Sequence, residues 1–119
     1  MLPKAARIRE EREFRAAFTR GRSYKGDLIV VYVLPRRGEA VRLGFTTVKK
    51  IGGAVERNRI KRLLREAAKR LMPNLRPGTD VIVLARTRAA GASLNELVAE
   101  LEKLLVRAGV LEQREQEQC

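Results

Sequence analysis

Residues 55–71, VERNRIKRLLREAAKRL, decide how the chain is read. Ile60, Leu63, Leu64, Ala67, Ala68 and Leu71 recur at three- and four-residue intervals, which gathers them on one face of an α-helix. Pro73 ends that helix within a turn. On the opposite face lie Asn58, Lys61, Arg62, Arg65 and Lys69, with Arg57, Arg59 and Arg70 on the flanks. An apolar stripe this regular has to be buried against another layer, and the flanking segments supply one.

Before the helix, Gly52-Gly53 breaks the chain, and Val41 to Thr47 reads as a strand. Leu28 to Leu34 is short, β-branched and closed by Pro35, so it reads as another strand. Both of its faces are apolar, so each needs cover. Arg36-Arg37-Gly38-Glu39 suits a hairpin turn, which would make these two strands antiparallel neighbours. Further out, Glu10-Glu11-Arg12-Glu13 precedes Phe14, Ala17 and Phe18. That order predicts a short helix with acids at its favourable N-terminal end, stopped by Gly21. After the central helix, Pro77-Gly78 marks a turn and Val81 to Ala85 a buried strand. Ser93 and Glu96 have capping-box spacing, and Leu94, Leu97, Val98, Leu101, Leu104 and Leu105 follow as a last amphipathic helix. The expectation is one α+β domain over residues 1–111, a two-layer sandwich in the order α-β-β-α-β-α. Residues 112–119 form a polar tail.

Charge is the loudest functional signal. Of 119 residues, 26 are Lys or Arg and 14 Asp or Glu, a net charge of +12. The excess is concentrated: residues 1–76 carry 21 basic and 7 acidic side chains, residues 77–119 only 5 and 7. Arg57, Lys61, Arg65 and Lys69 follow one another at i, i+4 spacing, where each like-charge pair costs roughly 0.2–0.5 kcal/mol in an isolated helix. Cations at its N-terminal end, with Lys49 and Lys50 just before it, oppose the helix dipole. A surface made only for solubility would mix signs. Phosphates turn this repulsion into attraction, and Arg grips them bidentately. About six neutralised phosphates on single-stranded RNA would give a log–log salt slope of roughly −4.

Aromatic residues make up only 4% of the chain. Phe14 and Phe18 lie one turn apart, and Tyr32 sits on the strand with two apolar faces. They would either stack unpaired bases, with Arg12, Arg15 and Lys25 at the edges, or dock the first helix on the sheet. Sequence leaves both open.

Catalytic groups are scarce. The chain has no histidine, and its one cysteine, Cys119, is in the tail. No residues have zinc-ligand spacing, Glu10-Glu11-Glu13 reads as helix N-terminal charge, and Gly52-Gly53 lacks the ending of a phosphate-binding loop. A lone cysteine suits a reducing cytosol, no stretch is long and apolar enough to span a membrane, and Met1 to Ala5 begins no signal peptide. The protein is therefore expected in the cytoplasm, without a membrane partner.

The run from Lys49 to Arg62, KKIGGAVERNRIKR, resembles the signature of the bacterial ribonuclease P protein family. Phe14, Phe18, Gly21, Tyr32, Gly44 and the strand Val81–Arg86 are further landmarks, and the resemblance covers residues 7 to about 105. The family more often has a Ser close to the Lys pair, where this chain reads Thr46-Thr47-Val48. The resemblance implies a ribosomal-protein-like fold with a left-handed βαβ crossover. It implies a catalytic RNA subunit that removes the 5′ leader of precursor tRNA using Mg²⁺ held by RNA, the protein itself holding no cofactor or metal. It implies that Phe14, Phe18 and Tyr32 line a groove for the single-stranded leader. Lys49, Lys50, Arg57, Asn58, Arg59, Lys61, Arg62 and Arg65 would face the catalytic RNA, one protein to one RNA.

Three functions compete. A subunit of a ribonucleoprotein endonuclease leads, a general RNA-binding module such as a ribosomal protein or RNA chaperone follows, and a protein nuclease acting alone is third. Missing histidine and metal ligands count against the third, and the ordered Arg-Asn-Arg segment separates the first from the second.

Overall fold

A computed structural model of the chain describes residues 8, 11–36, 38 and 41–111. Helix α1 (Glu11–Arg20) leads into strands β1 (Arg22–Lys25), β2 (Ile29–Pro35) and β3 (Val41–Thr47). Helix α2 (Ala54–Leu71), strand β4 (Thr79–Ala85) and helix α3 (Leu94–Arg107) complete the order. Short 3-10 turns at Lys49–Ile51, Met72–Asn74 and Thr87–Ala89 join them.

The strands form one sheet in the order β1-β2-β4-β3. Strand β4 pairs antiparallel with β2 and parallel with β3. This corrects the expected hairpin: β2 and β3 run in opposite directions but are not neighbours. The residues of β4 are buried or nearly so on both faces, and a strand apolar on both sides belongs in the middle of a sheet. It therefore displaces β3 to the edge. Of the expected hairpin turn, Arg37 and Glu39 lie outside the described residues, while the Arg36 amide bonds the Gly78 carbonyl at 2.8 Å. The sheet also gains a strand. Residues 22–25, RSYK, carry no apolar alternation, and β1 exists because its backbone pairs with β2, Ser23 opposite Tyr32 and Lys25 opposite Val30.

Strand pleating sorts the side chains. Ile29, Val31, Val33, Leu43, Val81, Val83 and Ala85 meet Ile60, Leu64, Ala67, Leu97, Leu101, Leu104 and Leu105 of α2 and α3 in the principal core. Leu64 is wholly buried there, so its truncation to Ala costs about 2–5 kcal/mol. On the opposite face a smaller core of Ile8, Ala17 and Ile82, with Phe14, Tyr32 and Leu34 against it, seats α1. That is the cover the second face of residues 28–34 required.

The capping box forms as the spacing predicts. The Glu96 amide donates to Ser93 Oγ at 3.2 Å, and the Ser93 amide donates to Glu96 Oε1 at 2.9 Å. These bonds hold the Glu96 carboxyl below its ordinary range. From α3, Glu100 also accepts the Leu28 and Ile29 amides at 2.7 and 2.8 Å, fixing the turn between β1 and β2.

Candidate nucleic-acid interface

Three cross-strand rows line the sheet face beneath α1. They run Leu34-Asp80-Arg42, then Ser23-Tyr32-Ile82-Gly44, then Lys25-Val30-Leu84-Thr46. Helix α1 crosses the first two. Its C-terminal end is tied down at Gly21, whose amide bonds Ala17 O at 2.9 Å. A Cβ on Gly21 would meet that oxygen at 2.5 Å and Val33 O at 2.9 Å, so only glycine allows so close an approach to β2. The third row is graded, Lys25 exposed, Leu84 and Thr46 half-buried and Val30 buried outside both cores, and it borders a groove next to the row of Tyr32, on which Phe18 packs. At the groove's far wall, Val48, Arg86 and Arg88 enclose a cleft of about 280 Å³ with Lys25, Val30 and Leu84.

The two phenylalanines differ in role. Phe14 is half-buried against the small core. Phe18 is 40% exposed, its ring meeting Tyr32 edge-on at 4.7 Å and 82°. The Phe14 ring lies 6.4 Å from that of Phe18. The alternatives left open by the sequence thus divide between two residues: Phe14 docks the helix, and Phe18 offers an open face braced by Tyr32. Edge-to-face pairs of this kind hold about 0.5–1.5 kcal/mol beyond burial.

Arg15 stays near this flank, exposed and paired to Glu11 at 3.3 Å. Arg12 does not join the groove. It lines a cleft on the other flank of α1 with Arg20, Arg36 and Arg42.

That flank holds a cluster the sequence reading missed. Asp80, 3% exposed, accepts from Arg42 Nε and Nη2 at 3.0 Å each and from Arg36 Nη1 at 3.2 Å. Arg42 also reaches Glu13 at 2.7 Å. The Asp80 hydrogen bonds, set against burial and aided by Glu13, raise the Arg42 pKa, so its charge is permanent. The one available hint was an acid at the head of an otherwise apolar strand.

Helix α2 presents the basic face, half-buried at Arg57, Arg59, Lys61 and Arg65, exposed at Asn58, Arg62 and Lys69. Three of its arginines are engaged locally. Arg57 donates to Gly52 O at 3.0 Å, Arg59 meets Glu56 at 3.2 Å, and Arg70 meets Glu66 at 4.0 Å. Among the described residues Lys49, Lys50, Lys61, Arg62, Arg65 and Lys69 form no ion pair, and Arg65 Nε is buried without a hydrogen-bond partner. Gly53 caps the N-terminus with no side-chain hydrogen bond, and Val55 beside it is 86% exposed. The turn carrying Lys49 and Lys50 packs against the Thr87–Ala89 turn. The start of the basic helix therefore stands beside Arg86 and Arg88 at the groove's wall.

The described residues hold no group of three or more metal-ligating side chains, and Glu13 and Asp80 are already engaged by Arg42. No described helix is long and apolar enough to cross a membrane.

Comparison with known proteins matches residues 2–109 to the family model described as Ribonuclease P. The ribonuclease P protein component of Shouchella clausii is 43% identical over 111 residues, covering 92% of this chain and 91% of that one. The structure of the Staphylococcus aureus RNase P protein superposes with a TM-score of 0.82 at 34% identity, covering 92% of this chain and 100% of that one. The Thermotoga maritima RNase P protein gives 0.77 at 28%, covering 85% and 96%.

Proposed function

The chain belongs to the Ribonuclease P family, and from that premise we propose that it is the protein subunit of a ribonucleoprotein that removes the 5′ leader of precursor tRNA in the cytoplasm. The RNA subunit carries the cleavage, with Mg²⁺ held by RNA. The protein supplies binding. Its α2 face and the Lys49-Lys50 turn grip the catalytic RNA through phosphates, one protein to one RNA. The groove beside α1 takes the unpaired leader.

One observation carries the reading. Phe18, an exposed ring braced on Tyr32, stands on the sheet face whose next row, Lys25-Val30-Leu84-Thr46, borders a cleft walled by Arg86 and Arg88. An aromatic platform on a face that also bears cations suits single-stranded RNA of any sequence, because every base has a π-face. Held there, a leader fixes the register of the cleavage site against the catalytic RNA, which raises substrate affinity and reduces dependence on free Mg²⁺. A general RNA-binding module would have no reason to distinguish precursor from mature tRNA.

Reconstitution tests this. Adding the protein to a bacterial ribonuclease P RNA is expected to restore 5′ cleavage of precursor tRNA at Mg²⁺ concentrations where the RNA alone is inactive. Binding without stimulation of cleavage would make it a general RNA-binding module instead.

A further inference from the structure

A third cleft, of about 390 Å³, opens on the other side of β1. Its floor is Val33, Pro35 and Thr79, its far wall Ala108 and Val110 beyond α3, and its near side Tyr24 with Arg20 and Arg22. Among the described residues no carboxylate lines it. Both arginines are exposed, and among the described residues neither side chain makes a hydrogen bond or ion pair. Tyr24 is half-buried with its body against the principal core.

Position gives the cleft meaning. Strand β1 is an edge strand of the sheet. Ser23 and Lys25, opposite Tyr32 and Val30, share the face of the groove, while the pleat turns Arg22 and Tyr24 to the other face. The groove lined by Lys25 therefore runs out over β1, and the cleft lined by Arg22 and Tyr24 begins on the far side of the same four residues. Arg20 lines both this cleft and the one holding Arg12, Arg36 and Arg42, so cations continue around the end of α1.

We propose that this cleft is a second subsite for single-stranded RNA. A leader nucleotide that has left the groove across β1 stacks its base on Tyr24 and sets its phosphate on Arg20 and Arg22. The proposal rests on the leader reading above and extends it to longer leaders. Two exposed cations with no ion pair and no carboxylate among the described residues lining the cleft favour a polyanion over a cationic ligand. A tyrosine face over an apolar floor accepts any base.

The test compares holoenzyme affinity for two precursors, with leaders of about 4 and about 12 nucleotides. Because Tyr24 packs on the core, Tyr24→Leu removes the ring while keeping apolar bulk, and the exposed pair is tested separately as Arg20→Ala with Arg22→Ala. Each is expected to weaken the long-leader precursor about ten-fold and leave the short-leader precursor, thermal melting and assembly with the RNA subunit unchanged. Equal loss at both lengths, no loss at either, or weakened assembly with the RNA subunit would overturn it. Phe18→Ala separates the two readings: it should weaken both precursors, and if it weakens neither, the groove itself is misassigned.

Discussion

Gly44 lies directly beneath Phe14: a Cβ placed on it would stand 2.9 Å from Phe14 Cζ and 3.2 Å from Ile8 Cβ. The edge strand β3 therefore leaves a gap in its pleat, and the ring of α1 fills it. Gly44→Ala must lift the ring or bend the strand. Overpacking of this kind costs about 1–3 kcal/mol, and the lifted ring displaces its neighbour Phe18. Urea unfolding should show the loss of stability, with a fall in affinity for precursor tRNA but not mature tRNA. Unchanged unfolding would mean that the helix is not seated on Gly44.

Phe18→Ala separates binding from folding. The ring is 40% exposed and its main partner is Tyr32, so its removal should cost stability only about 1 kcal/mol. If it stacks a leader base, affinity for precursor tRNA falls by about 1–3 kcal/mol while mature tRNA binds as before. Equal losses for the two substrates would return Phe18 to a packing role.

Much of this architecture could be read from periodicity. The three helices, their buried stripes and the Ser93–Glu96 cap follow from side-chain spacing, a local property. Pairing is not local. Nothing in residues 41–47 says that β4, more than thirty residues later, will take the place beside β2. Strand β1 is invisible for the same reason, since RSYK owes its conformation to β2. The cations of α2 were legible as a costly like-charge row. Their engagement was not: Arg57 and Arg59 turn out to be held by Gly52 O and Glu56, and only coordinates tell these from Lys61 and Arg62. Asp80 was passed over because a single acid in a strand has no pattern.

Asp80 fastens the row end beneath α1. Its carboxylate is buried and takes three hydrogen bonds from Arg42 and Arg36. Asp80→Ala leaves Arg42, only 20% exposed, with Glu13 alone. Removing one partner of a largely buried pair costs about 3 kcal/mol, and chemical denaturation should read it. A loss below 1 kcal/mol would mean that water replaces the carboxylate.

The α3 cap gives a pH signature. Ser93→Ala should destabilise the protein by about 1 kcal/mol. Glu96 titrates below its ordinary value of 4.5 because it accepts the Ser93 amide. A depressed acid pKa adds stability above the unfolded value, and that stability is lost as pH falls through the folded value. The difference in melting temperature between the wild type and Glu96→Ala should therefore be full at neutral pH and shrink below about pH 4.5. A difference that persists undiminished at lower pH would show that the charge plays no part in the cap.

The ion pairs of α2 rank its cations. Arg62 is exposed with no ion pair among the described residues, whereas Arg59 is held to Glu56 at 3.2 Å. A phosphate contact by Arg62 is made at no internal cost, but one by Arg59 must first release a carboxylate. Arg62→Ala should therefore flatten the salt dependence of binding to the RNA subunit by about 0.7–0.9 in log–log slope. Arg59→Ala should flatten it less. Glu56→Gln removes the competing carboxylate and a negative charge facing the RNA, so it should tighten binding about two-fold at low salt. If Glu56→Gln weakens binding instead, the pair holds Arg59 in the orientation that grips the RNA, and Arg59 then outranks Arg62.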